Sequence, residues 1–314
     1  MSDAYPQLDD RFRLERLQLP QGTIRMVLDT DTYNEIDDQF AVVYALSAPE
    51  RLRVEALCAA PFFNELSDGP EDGMVKSYAE LQRIVGVMGK TGRVPIYEGS
   101  RCYMQAAKEP VESEAARRIV ELALASPMDD PLYVVGIGAI TNVASAILMD
   151  PSIIERIVVV WLGGNAPWWK DTREFNLIQD VHAARVLFDS GVPLVTMPCM
   201  GVVSHLSTTK AEIDAHLRGQ GPIGDYLADT YETCSKDHYA YSRVIWDIST
   251  IAYLLDERLV PVNVVHSPVL NDGGTWSVDA RRHLIKTAYY VNRDGIFRDL
   301  FTRVRGLDGT TTSS

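Results

Sequence analysis

The chain has 314 residues, 46% hydrophobic and 23% charged, with 30 basic against 43 acidic side chains and a formal charge of −13. An acidic surface excludes nonspecific nucleic-acid binding, which relies on basic patches that release counterions, but it does not exclude an uncharged nucleoside. No apolar run approaches the ~18 residues of a membrane span, and the polar N-terminus MSDAYPQLDDRFR lacks the basic segment and apolar core of a secretory signal.

A cytoplasmic location is therefore expected, with Cys58, Cys102, Cys199 and Cys234, which show no CxxC spacing, as free thiols. In chain order, TIRMVLDT (23–30) reads as a buried strand, 37–50 as a helix ending before Pro49, and VEALCAA (54–60) as the next strand. Residues 72–89 have helical periodicity, and a helix near 112–126 precedes the strand PLYVVGIG (131–138), which opens onto a glycine turn. The helix TNVASAILMDP, the strand RIVVVWLGG (156–164), the helix 179–191 with its glycine stop and the strand 192–198 follow. After residue 205 the pattern becomes helical, over 209–219, 222–238 and 246–256. The remainder reads as short antiparallel strands around an Asn-Asp-Gly-Gly turn, ending in a disordered GTTTSS tail. The β-α-β alternation predicts an α/β fold: a mostly parallel, Rossmann-like open sheet flanked by helices, with a helical C-terminal part and short antiparallel strands. No repeat, linker or composition break divides the chain, so one domain over 1–314 is expected, with flexible ends at about 1–20 and 306–314.

The segment LDTDTYNEIDDQFA places Asp29, Asp31, Glu35, Asp37 and Asp38 within ten residues, where a buried strand ends and a helix begins. Ligands of open α/β sheets bind at such strand ends. Five acids in one turn repel one another unless a cation or protons offset them. Helix capping by Asp37 and Asp38 accounts for one or two of them, not five. Hard oxygens without nearby His or Cys favour Ca²⁺ or Mg²⁺ over zinc, and the loop lacks the glycine and glutamate spacing of an EF-hand. No GxSxG elbow, GxxxxGKS/T loop or GxGxxG strand-helix turn is present.

This run resembles the DTDPGxDD signature of the nucleoside hydrolases, and further segments match that family in order. VEALCAAPFFNE resembles the segment ending in a substrate-binding Asn, here Asn64; VGIGAITNVASAI resembles GPLTNxA; VVWLGG resembles the MGG strand end; EFNLIQDVHAARVLF resembles EFNxxxDPxAA; and WDISTIAYL resembles HDPxAxxxL. Each motif alone is weak, but their order and spacing over about residues 23–300 are specific. The resemblance implies a Ca²⁺-dependent hydrolase of the N-glycosidic bond of a ribonucleoside or related N-riboside, acting in purine or pyrimidine salvage. Asp31 would be a metal ligand and the general base for a metal-bound water. Asp38, the Thr141 carbonyl and Asp247 would be the other protein ligands. Asp37, Asn64, Glu174 and Asn176 would hold sugar hydroxyls, and Asn165 the sugar contact of a loop Asn. A homodimer or homotetramer is also implied, with a small-molecule nucleoside as the only other partner. Non-nucleoside glycoside hydrolysis and calcium-dependent ribose binding without turnover are the alternatives.

Two departures bear on the leaving group. Five residues, TYNEI, separate Asp31 from Asp37 where the family signature has three, so the sequence is identified as a member of a divergent subgroup with a DTDxxNExDDQ signature. The insertion puts Glu35 at the mouth of the site. Trp246 stands where inosine-uridine enzymes have a His that protonates the leaving base. Its N–H is only a hydrogen-bond donor, so Trp246 either stacks on the substrate's ring or anchors a helix start. Leaving-group help then falls to Glu35, Tyr239, Tyr241, Arg243, His238 or His205. Trp168 and Trp169 read equally as an aromatic wall for a ring or as a subunit interface.

Overall fold

The computed structural model describes residues 5–309. After a leading helix α1 (Asp10–Arg16), strands β1 (Ile24–Thr30), β2 (Leu52–Ala59) and β3 (Ile96–Tyr97) alternate with helices α2 (Asp37–Leu46) and α3 (Pro70–Val87). Helix α4 (Glu114–Leu124) leads to β4 (Leu132–Gly136), α5 (Thr141–Met149), β5 (Ile157–Leu162), α6 (Phe175–Gln179), α7 (Val181–Asp189) and β6 (Leu194–Met197). A ribbon of β7 (Ser207–Thr208) and β8 (Arg243–Val244) brackets α8 (Lys210–His216) and α9 (Gly221–Thr233). The chain continues through α10 (Ile248–Leu255), β9 (Val262–His266), the hairpin β10 (Val269–Leu270)–β11 (Trp276–Ser277), β12 (Leu284–Ala288) and α11 (Arg293–Gly309). No helix among the described residues is long and apolar enough to cross a membrane.

The main sheet has the order β3-β2-β1-β4-β5-β6-β12-β9, parallel throughout except for the antiparallel pair β12–β9. Its central strands β1, β4, β5 and β6 are buried at every position. This is why they read as unbroken apolar runs: both faces are covered by helices. Met26 and Leu28 face one core with Phe40, Tyr253 and Phe297, and Val27 faces the other with Ile119, Ile147 and Phe188. The chain runs outward from β1 to β3, then returns to place β4 on the other side of β1. That reversal opens a crevice at the carboxyl ends of β1 and β4, where Asp29 pairs in register with Gly136.

The two ends of the chain carry detail beyond the sequence pattern. The expected short antiparallel strands are present as the pairs β9–β12 and β10–β11, and β12 also pairs parallel with β6, which joins it to the main sheet. The Asn271–Gly274 turn does close a hairpin, β10–β11. Residues 293–295, read with the strand region, and 306–309, read as a flexible end, belong with the segment between them to α11, which buries Ile296, Phe297, Leu300, Phe301 and Val304. That spacing is helical, but Gly295 and Gly306 mask it in sequence. Finally, the expected flexible end at 1–20 contains α1, capped by the Asp9 side chain, which accepts from the Phe12 N–H at 2.9 Å. Arg16 pins it by donating to the Glu155 carbonyl at 3.0 Å, and Leu17 is buried. Residues 1–4 and 310–314, including most of the GTTTSS tail, lie outside the described residues.

Candidate functional site

The acidic turn follows β1 directly into the crevice. Asp29, the penultimate residue of β1, is buried, and its Oδ1 accepts from Asn142 Nδ2 at 2.7 Å. Asn142 in turn accepts from the Ser100 N–H at 2.7 Å and the Ser100 hydroxyl at 2.8 Å, and donates to the Ala59 carbonyl at 3.2 Å. This amide, on α5, ties together the ends of β1 and β2 and the segment just past β3. Replacing Asn142 with Ala strands buried partners on all three, so we expect a loss of about 2–3 kcal/mol of stability, read from denaturant unfolding. A loss within error would show that the amide network is dispensable.

Asp31 is 1% exposed, and neither of its carboxylate oxygens has a hydrogen-bond partner. Gly138, just beyond β4, presses against it; a Cβ there would lie 2.8 Å from Asp31 Oδ1, so only glycine fits. The first turn of α2 presents Asp37 and Asp38. Asp38 Oδ1 accepts from the Thr30 hydroxyl at 2.5 Å, and Asp37 Oδ2 accepts from the Trp246 N–H at 3.0 Å. The β8–α10 connection thereby delivers Asp247, and oxygens of Asp37, Asp38 and Asp247 lie within 4.8 Å of one another. Thr141 opens α5, buried, with its hydroxyl donating to Asp180 at 2.8 Å.

Burial without a counter-charge pushes these carboxyls upward. Asp29 rises to about 7 through burial, against the Asn142 hydrogen bond. Asp38 rises to about 6, again mainly through burial. Asp31 and Asp247 lie well above the usual range through burial and then the charge of neighbouring aspartates. Asp37 is raised by burial and by Glu35 and Asp38, and Arg243 partly offsets this. A divalent cation is the other way to neutralise such a set. Orphaned buried oxygens at Asp31 beside a convergent aspartate trio, all hard donors, fit Ca²⁺ or Mg²⁺.

Above the trio is a cleft of about 220 Å³, lined among others by Glu35, Asn165, Glu174, Asn176 and Trp246. Asn176 donates through Nδ2 to the Ile137 and Leu162 carbonyls at 3.1 and 3.0 Å, which turns its Oδ1 free. Glu174 caps α6, accepting from the Gly164, Asn176 and Leu177 N–H groups at 2.8, 2.9 and 3.1 Å, and burial pushes it to about 6. Asn165 lines the cleft, but its amide holds the loop, donating to the Asp171 carbonyl at 3.1 Å and accepting from the Met200 N–H at 3.0 Å. Asn64 is not brought into the cleft. It donates to Asn34 Oδ1 at 2.6 Å and lines a larger neighbouring cavity of about 730 Å³, which shares Asn34, Glu35 and Phe175 with the cleft.

The leaving-group candidates separate clearly. Glu35 is ion-paired with Arg243 at the junction of the two cavities. Tyr239 is 90% exposed, and Tyr241 packs edge-on against His238. His205 and His238 are taken up by backbone carbonyls, those of Val291 and Glu232, at 2.9 and 3.2 Å. Trp168 lines a separate apolar cavity of about 440 Å³ beside β9 and β12, and neither Trp168 nor Trp169 lines the acidic cleft. Cys199, whose thiol hydrogen-bonds Glu174, and Arg173 also line the cleft. Neither was singled out from sequence, although Cys199 sits two residues past β6, at a strand end.

The model of the inosine-uridine preferring nucleoside hydrolase family matches residues 26–298. The chain belongs to this family. Among relatives of this nucleoside hydrolase family member, the pyrimidine-specific ribonucleoside hydrolases RihB of Escherichia coli and Escherichia fergusonii are 29% identical over 204 residues, covering 60% of this chain. The chain spans 62% of the length of these curated relatives. Among solved structures, the plant nucleoside hydrolase PpNRh1 matches with a TM-score of 0.73 at 18% identity, over 90% of this chain and 99% of that one. The purine-preferring ribonucleoside hydrolase of Gardnerella vaginalis matches with a TM-score of 0.71 at 21% identity, over 90% and 98%. These structural matches establish that the family member has the nucleoside hydrolase fold.

Proposed function

We propose that the protein hydrolyses the N-glycosidic bond of a ribonucleoside or related N-riboside at this cleft, with Ca²⁺ as cofactor. The observation that carries the reading is the buried, unpartnered carboxylate of Asp31 beside the Asp37–Asp38–Asp247 trio. Asp31, Asp38, Asp247 and the Thr141 carbonyl are the proposed ligands. A bound cation would supply the positive charge that holds these groups ionised and would acidify the attacking water.

The remaining chemistry falls to the chain. Asp31 takes a proton as water oxygen bonds to the anomeric carbon and the carbon–nitrogen bond breaks, its electron pair leaving with the base. Carboxylates around the sugar stabilise the oxocarbenium-like charge that develops. Asp37, Glu174 and the free Oδ1 of Asn176 bind the sugar hydroxyls. Asn64 and Asn165 join them only after rearrangement, because their amides are committed elsewhere. Trp246, at the cleft wall with its backbone N–H on Asp37, stacks on the leaving ring.

Two measurements test this. Purified protein incubated with purine and pyrimidine nucleosides releases free ribose, and chelation stops the release. Trp246→Ala raises KM about tenfold while Trp246→Phe stays near the starting value, the loss of one stacking contact. Tight calcium-dependent ribose binding with no turnover would instead favour a sugar-binding protein. Homo-oligomerisation is proposed from the exposed edge strand β9 and the apolar residues Trp168, Val278 and Tyr289 beside it, and sedimentation would reveal it.

A further inference from the structure

The cleft is lined by five acids, Glu35, Asp37, Asp38, Glu174 and Asp247, and by one cation, Arg173. Unlike Arg243, which is held by Glu35, Arg173 makes no ion pair among the described residues. The acids nearest to it in the chain are already engaged. Asp171 accepts from the Arg173 backbone N–H and lies 3.9 Å from Lys170. Glu174 accepts from two N–H groups that start α6 and from the Gly164 N–H past β5. Asp272, in the facing hairpin turn, is paired with Arg185.

The guanidinium is nevertheless placed rather than loose. The β10–β11 turn is clipped to its segment by the Thr172 N–H, which donates to the Gly274 carbonyl at 2.8 Å. Gly274, at φ +70°, packs against the side-chain stem; a Cβ there would lie 2.8 Å from Arg173 Cγ. The head group makes only long contacts, at 3.3 and 3.4 Å, to the Gly273 carbonyl. A planar fork with weak neutral acceptors exchanges them readily for an oxyanion, which it binds through two charge-assisted hydrogen bonds.

We propose that Arg173 is a specificity residue that takes an anionic substituent on the ribose end of the substrate, so that a phosphorylated riboside binds better than its neutral counterpart. The inference rests on the riboside reading above. It places the anion at the sugar because Arg173 belongs to the same segment as Glu174 and Asn176, whereas Trp246 enters from the α10 side. A free positive charge at this position also offsets the repulsion that the acids would otherwise exert on a phosphate.

The test is equilibrium binding by calorimetry on the full chain with calcium, which does not depend on turnover. D-ribose and ribose 5-phosphate are compared in the unsubstituted protein, Arg173→Gln and Arg173→Lys. The expected result is that ribose 5-phosphate binds about ten- to hundredfold tighter than ribose, that Arg173→Gln removes the preference, and that Arg173→Lys keeps part of it. Equal binding of the two sugars, or a preference that survives Arg173→Gln, overturns the proposal; Arg173 is then only a strut for the hairpin. Nicotinic acid riboside against nicotinamide riboside separates the sources of charge: an Arg173-dependent preference there, without one for ribose 5-phosphate, moves the anion to the leaving ring and also overturns it. Failure of nucleosides to release ribose, with the ribose 5-phosphate preference intact, would sink the hydrolase reading and leave this one standing.

Discussion

Asp31→Asn is expected to lower kcat/KM for any hydrolysed riboside by roughly a thousandfold or more, the scale of removing a general base that also helps hold the cofactor. The substitution is nearly isosteric, so the contact with Gly138 survives. It also removes a buried carboxylate with no hydrogen-bond partner. At pH 8 the metal-free variant should therefore be at least as stable as the starting protein, because the amide, unlike the carboxyl, has neither to hold a proton nor to bury a charge there. Loss of activity with unchanged or raised thermal stability is the signature that separates a chemical role from a structural one. Retained activity would overturn the assignment of Asp31, and activity lost together with the fold would show a structural residue.

Calcium removal is expected to couple stability to pH in an unusual direction. The cluster carboxyls are raised in the fold, Asp38 to about 6 and Asp29 to about 7. A raised native value means that the folded chain holds protons which the unfolded chain, with carboxyls near ~4, has already lost. The stability these groups contribute is then fully present below about pH 4 and is lost as pH rises through about 6–7. In chelator the melting temperature should fall from pH 5 to pH 8. Calcium should reverse this at pH 8, because it replaces the protons as counter-charge. At a hundred times its dissociation constant it contributes about 2.7 kcal/mol, or roughly 4 °C for a chain of this length. Melting curves at several pH values with and without calcium check both parts. A pH-independent melting temperature in chelator, or no calcium shift at pH 8, would count against a cation site at this cluster.

Much of this was legible in the sequence because it is local. The apolar runs at 24–30, 132–136 and 157–162 are strands buried on both faces, and their alternation with helical periods was enough to specify a parallel α/β sheet. The acidic turn could be read in place because a strand end, a carboxylate cluster and a helix start are adjacent in the chain. Family motifs extended that reading to distant positions such as Asp247, which the structure brings beside Asp37 and Asp38. Helix α11 was hidden by its two interior glycines, and the place of β12 in the main sheet is a matter of long-range pairing that no local pattern encodes.

Only the tertiary structure decided how side chains are committed. Asn64 is taken by the inserted Asn34, Asn165 by its own loop, and His205 and His238 by backbone carbonyls, while Trp168 faces another cavity. The physical reason is that a residue type states what hydrogen bonds or contacts it can make, whereas which partner arrives first depends on packing between segments far apart in the chain. The same reason explains Asp31. Its identity marks it as a carboxylate in an acidic turn, but its burial against Gly138 with both oxygens free exists only once β1 and β4 lie side by side.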